Sequence, residues 1–116
     1  MAYDEKLAER IRGVLRDRSD ITERRMMGGL MFLCRGRMCG GVIGPDLVAR
    51  VSRDTMPAVL RRAHVRPMDF TGRPLAGFVY VAPPGVRRRA NLQAWLEGGL
   101  QLAAAATSKR PSRRIR

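Results

Sequence analysis

The chain has little of what most catalytic chemistry uses. It holds one histidine, His64, two cysteines and one tryptophan in 116 residues. His64 has no serine or carboxylate close by in sequence, which suits a structural or surface histidine better than a general base. The cysteines, Cys34 and Cys39, are spaced C-x4-C with no second ligand pair, so zinc is not expected. No apolar run approaches the roughly 18 residues of a membrane span. The start, MAYDEKLAER, is acidic and then amphipathic, unlike a secretory leader. A cytoplasmic location and no membrane partner are the expectations. At this length one domain is expected, with about two-thirds of the unfolded surface buried on folding.

Positive charge is abundant. Lys and Arg number 23 against 10 Asp and Glu, a formal +13, and all but Lys6 and Lys109 are arginine. Two stretches concentrate it: Arg87, Arg88 and Arg89, and the terminal TSKRPSRRIR with Lys109, Arg110, Arg113, Arg114 and Arg116. Such an excess favours polyanions through counterion release, or serves only solubility. Residues 107–116 have too little apolar content to fold and read as a disordered basic tail behind a domain over 1–106.

Asp4 can cap a helix whose apolar stripe is Leu7, Ala8, Ile11, Val14 and Leu15, ending near Arg18. Strands follow over 22–26, 30–35 and 38–43. Gly36-Arg37 suits a two-residue type II′ hairpin, which pairs Arg35 with Met38 and sets Cys34 opposite Cys39. Directly opposed residues approach to about 4.5–5.5 Å, within reach of a disulfide. The pair is then a redox switch, or two reduced buried thiols. That register puts Leu30, Phe32, Cys34, Cys39, Gly41 and Ile43 on the core face. The opposite face carries Met31, Leu33, Arg35, Met38 and, further on, Arg50. Methionine and arginine are enriched at interfaces, so this face is a candidate partner surface; the alternative is cover by the last helix or a loop.

The chain is organised around RPMDFTGRPLAGFVYV, residues 66–81. Its first part is dense in turn formers, with Pro67, Asp69, Thr71, Gly72 and Pro74. Phe78-Val79-Tyr80-Val81 then reads as a central strand, aromatic on one side and aliphatic on the other. Beyond Pro83-Pro84-Gly85, the three arginines either precede the last helix or meet an anion there, since cations in a first helical turn oppose the dipole. Leu92, Trp95, Leu96 and Leu102 or Ala103 form that helix's apolar side, and Gly98-Gly99 weakens it by about 1 kcal/mol per glycine relative to alanine.

Four segments together resemble the N-terminal domain of the TfoX/Sxy family of competence regulators: YDEKLAERIRGVL, TERRMMGGLMFLCRGRMCGGVIGPDLVARV, the block RPMDFTGRPLAGFVYV, and the closing helix with Trp95. They cover residues 3–105. The resemblance implies an α+β single domain, a curved antiparallel sheet of about five strands flanked by N- and C-terminal helices, related to secretion chaperones. It implies no cofactor and no active site. Two-domain members of that family promote transcription of DNA-uptake genes in bacteria; the 116 residues are expected to correspond to the N-terminal domain alone, without the helical C-terminal domain of those members.

Three functions fit these residues to different degrees. One is a non-enzymatic regulator acting through contacts with a protein partner or a second copy, by the Met/Arg face or an edge strand. The second is a sequence-independent nucleic-acid binder using Arg87–Arg89 and the tail, since no base-reading motif is present. The third, an enzyme, has only His64, Asp69 and Thr71 to work with and no evident nucleophile. The expectation is the first.

Overall fold

The computed structural model describes the backbone of residues 3–69 and 74–113, and the side chains of 3–69 and 75–105. The chain begins with α1 (Glu5–Val14), started by Asp4, whose Oδ1 accepts from the Lys6 and Leu7 amides at 2.8 and 3.3 Å. The Asp4 amide donates to the Gly44 carbonyl, which ties this cap to the sheet. The helix is a turn shorter than its apolar stripe suggests. After Leu15 the bonds tighten to i→i−3, and Arg18 turns to pair with Asp20 instead of continuing the coil.

Six antiparallel strands follow: β1 (Ile21–Met26), β2 (Gly29–Cys34), β3 (Arg37–Ile43), β4 (Asp46–Arg50), β5 (Val65–Asp69) and β6 (Pro74–Val81). Their order in the sheet is β1-β2-β3-β4-β6-β5. A short α2 (Met56–Val59) lies between β4 and β5. A 3-10 turn (Pro83–Val86) leads into α3 (Arg89–Arg113). The architecture is the α+β one expected, with β6 central as its two apolar faces require. The strand beyond the expected five is β5. Pro67 reads as a breaker in sequence, but β5 is an edge strand, where proline is tolerated.

The β2–β3 register differs from the expected one. The hairpin turns on Arg35-Gly36, with φ of 54° and 85°, so Cys34 pairs with Arg37. Positive φ at both central positions is the type I′ turn, which matches strand twist and favours glycine second. A bulge then places Leu33 opposite Met38 and Phe32 opposite Gly40, leaving Cys39 as the extra residue. Cys34 and Cys39 therefore do not oppose each other, and both are free, buried thiols. The bulge also exchanges the glycines: Gly40 and Val42 join the core face, and Gly41 and Ile43 the other.

That core face is the helix side. Phe32, Val42, Leu47, Val79 and Val81 pack there against Leu7 and Ile11 of α1 and Leu92 and Leu96 of α3, all at most 4% exposed. Complete burial of such side chains stabilises by roughly 1.5–3 kcal/mol each. α3 comes closest at Gly99, which rests on the Cys39 carbonyl at the bulge.

Candidate functional site

The opposite face of the sheet holds a second apolar cluster to which no described helix residue belongs. Its register forms one row across all six strands: Arg24, Met31, Gly41, Val48, Tyr80, Arg66. Met31 and Val48 are fully buried in the middle of it. A Cβ on Gly41 would come within 2.5 Å of Met31 Sδ, so the flexible thioether lies over the glycine and fills the row. Leu33 and Met68 are also buried; Met26, Met27, Met38, Leu75, Phe78 and Tyr80 surround them half-buried.

Arginines edge this cluster. Arg66 donates from Nη2 to Asp46 Oδ2 at 2.7 Å and stacks its guanidinium 4.6 Å from the Tyr80 ring centroid. Asp46 is the one buried charged residue of the described chain, and this contact balances it. Arg50 donates from Nη1 to the Met38 carbonyl at 3.0 Å and sits 5.9 Å from the Phe78 ring. Both arginines are held flat against aromatic or backbone surface.

Of the residues singled out in sequence for this face, Met31, Leu33, Met38 and Arg50 do gather there. Arg35 does not: it occupies the hairpin turn and pairs with Asp20 at 3.6 Å. Arg66 and Met68 were missed because β5 reads as loop. The alternation of Phe78 and Tyr80 was the signal that could have extended the face across β6.

The two cysteines sit apart in their bonding. Cys34 Sγ donates to Asp20 Oδ2 at 3.5 Å and lies 3.6 Å from Arg18 Nη2. The Arg18 hydrogen bond holds the Asp20 carboxyl below its ordinary range. Cys39 Sγ donates to the Phe32 carbonyl at 3.4 Å. Burial, and then the neighbouring Cys34, push the Cys39 thiol up to about 11. That opposes the thiolate needed for nucleophilic or metal chemistry. Among the described residues no group of three or more His, Cys, Asp and Glu could hold a metal ion.

Arg87, Arg88 and Arg89 are exposed where the 3-10 turn meets α3. Arg87 and Arg88 precede the helix, and the Arg88 carbonyl accepts its first bonds, from the Asn91 and Leu92 amides. Arg10 of α1 joins them, donating to the Val86 and Arg87 carbonyls at 2.7 and 3.1 Å. Of the tail, the side chains of Lys109, Arg110 and Arg113 and all of Arg114 and Arg116 lie outside the described residues, as does Thr71. His64 is exposed with φ of 70°, and its carbonyl accepts from the Ala82 amide.

A cleft of about 310 Å³ opens between α3 and residues 50–55. No described helix is long and apolar enough to cross a membrane.

No curated protein and no solved structure matches this chain. The hairpins, the bulge and the helix-packed sheet instead fall within one family description, the TfoX N-terminal domain, whose model matches residues 14–103, and the chain belongs to that family.

Proposed function

We propose that this protein is a non-enzymatic regulatory domain that acts through protein contacts in the cytoplasm, using the sheet face opposite the helices. The observation that carries this reading is the segregation of the helices. α1 and α3 contribute to one apolar cluster, and among the described residues the second cluster is built from strands and turns. An apolar face edged by arginine and aromatic residues has the composition of an interface core. Family membership supports a regulatory role, and control of transcription of DNA-uptake genes is the process the TfoX resemblance suggests. Photo-crosslinking tests it. A crosslinking amino acid at Met38, on the second face, is expected to trap a discrete adduct in the native host, either a partner or a second copy. The same group at Glu97, exposed on α3, is expected to trap none. Equal adducts from both positions, or none from Met38, refute the reading.

A second reading is favoured by one contact. Arg10 docks beside Arg87–Arg89, which makes a four-arginine exposed patch suited to phosphates. Replacing Arg87–Arg89 by serine is then expected to cut the slope of log K against log salt for duplex binding by up to about 3. An unchanged slope refutes it.

A further inference from the structure

Glycines 98 and 99 of α3 are adjacent, equally costly to a helix, and differently explained. Gly99 is required by contact with the Cys39 carbonyl. Gly98 touches nothing: a Cβ there would meet no atom within 4 Å. A mid-helix glycine costs about 1 kcal/mol against alanine, and no packing contact offsets that at Gly98. The open space above it is the cleft of about 310 Å³, within the lower range of small-molecule sites. Ala94, Trp95, Gly98 and Leu102 form its α3 wall, and Val51 faces them from the end of β4.

The polar groups there include several donors. Trp95 has an indole N–H with no hydrogen-bond partner among the described residues, and it is not fully buried. Gln101 brings an exposed amide. Arg50 is a lining residue whose guanidinium is committed to the Met38 carbonyl on the opposite sheet face, so the cation beside the cleft is Arg62, its guanidinium 4.4 Å from the Trp95 ring centroid. The hydroxyls of Ser52 and Thr55 bond one another at 2.8 Å and serve as wall. No acidic side chain is among the lining residues.

We infer that this cleft is a binding site for a small organic acid: a flat apolar body set over Gly98 between Trp95, Leu102 and Val51, with its carboxylate toward the donors. At roughly 30 Å³ per water-sized volume, the space suits about ten non-hydrogen atoms. The inference goes beyond the partner-surface reading and does not depend on it, because the cleft lies on the helix side of the sheet.

Trp95 is the sole tryptophan, so its fluorescence reports on the cleft directly. The probe is phenylacetate, titrated into the full chain, with phenylacetamide and phenethylamine as neutral and cationic controls. The expected result is a saturable change with Kd at or below about 1 mM for phenylacetate. The amide binds at least about fivefold more weakly and the amine still less. Gly98→Leu projects a side chain into the open space, where its Cβ meets no atom within 4 Å, and is expected to weaken phenylacetate at least about tenfold while keeping the far-ultraviolet circular dichroism of the native chain. Gln101→Glu, an exposed change that leaves packing alone, is expected to weaken it severalfold by charge. No saturable change with the native chain, or undiminished binding in both variants, overturns the site. Equal binding of acid, amide and amine overturns the ligand class.

Discussion

Gly98→Ala and Gly99→Ala form a controlled pair. Both replace a glycine in the same turn of α3, so the helix-propensity gain of about 1 kcal/mol is common to both and cancels in their difference. What remains is packing. At position 98 the new methyl enters open space, and the full gain is expected. At position 99 it would overlap the Cys39 carbonyl oxygen and stand 3.0 Å from that carbonyl carbon. These are backbone atoms of β3 and cannot rotate away as a side-chain tip can. α3 and β3 must part by about 1 Å in a core packed to crystal density, at a cost of roughly 1–3 kcal/mol. One kcal/mol moves the midpoint of a domain of this size by about 4–8 °C. Gly98→Ala should therefore melt about 4–8 °C above the native chain, and Gly99→Ala at least about 4 °C below Gly98→Ala. Thermal unfolding followed by circular dichroism, checked by urea midpoints, measures both. Equal midpoints for the two variants would refute the assignment of Gly99 to helix–strand contact and of Gly98 to an open cleft.

Other expectations follow from the same contacts. The folded Cys39 thiol is raised from 9.0 to about 11, so the unfolded chain ionises first and stability falls as pH rises from about 9 to 11. Cys39→Ala should lose that alkaline decline, measured as the pH dependence of the urea midpoint relative to the native chain. Glu23 is held by Arg12 through Nε and Nη2 at 2.7 and 2.9 Å, and its pKa is depressed mainly by that hydrogen bonding. Its contribution is present above the ordinary pKa of 4.5 and is lost as pH falls below it. Because the pair is about one-third exposed, Glu23→Gln should cost only about 0.5–1 kcal/mol at neutral pH, with a flatter acid limb in denaturation. Arg66→Met should cost about 1–3 kcal/mol by leaving the buried Asp46 carboxylate unpaired, read from the same urea midpoints.

What the sequence made legible was local. Asp4 followed by an apolar stripe announces α1, and Phe78 to Val81 announces a central strand, because capping and residue alternation act over a few residues. The β2–β3 register was out of reach by one residue. Arg35-Gly36 and Gly36-Arg37 are both acceptable turns on composition, and only the bulge at Cys39 reconciles the first with a continuous core face. The same ambiguity made the cysteines look opposed. β5 was hidden for a different reason: Pro67 excludes a central strand but not an edge, and only the assembled sheet says which it is. The cleft was hidden as well. Gly98 and Gly99 weaken a helix alike, and only the placement of α3 against β3 separates the close contact from the open space.

A protein contact could use either an edge or a face of this sheet, and the edges are poorly suited to strand addition. β1, one edge of the sheet, carries Glu23, Arg24 and Arg25, all exposed. Charges on a free edge discourage pairing with another strand. Antiparallel pairing of β1 with a second copy centred on Arg24 would set that arginine against its own image. Shifting the centre to Glu23 sets two carboxylates together, and like charges directly opposite are destabilising. β5, the other edge, carries Pro67, which lacks an amide hydrogen and interrupts the donor pattern of any added strand. The second face has no such barrier. At its centre Met31 is fully buried among the half-buried and adaptable Met26, Met27 and Met38, and its arginines already lie along its borders. A self-associated dimer through that face would bring Arg24, Arg50 and Arg66 of each copy near those of the other, opposed among the described residues of that face by the Asp46 pair. An acidic, apolar-sided partner meets the same surface with charges that attract.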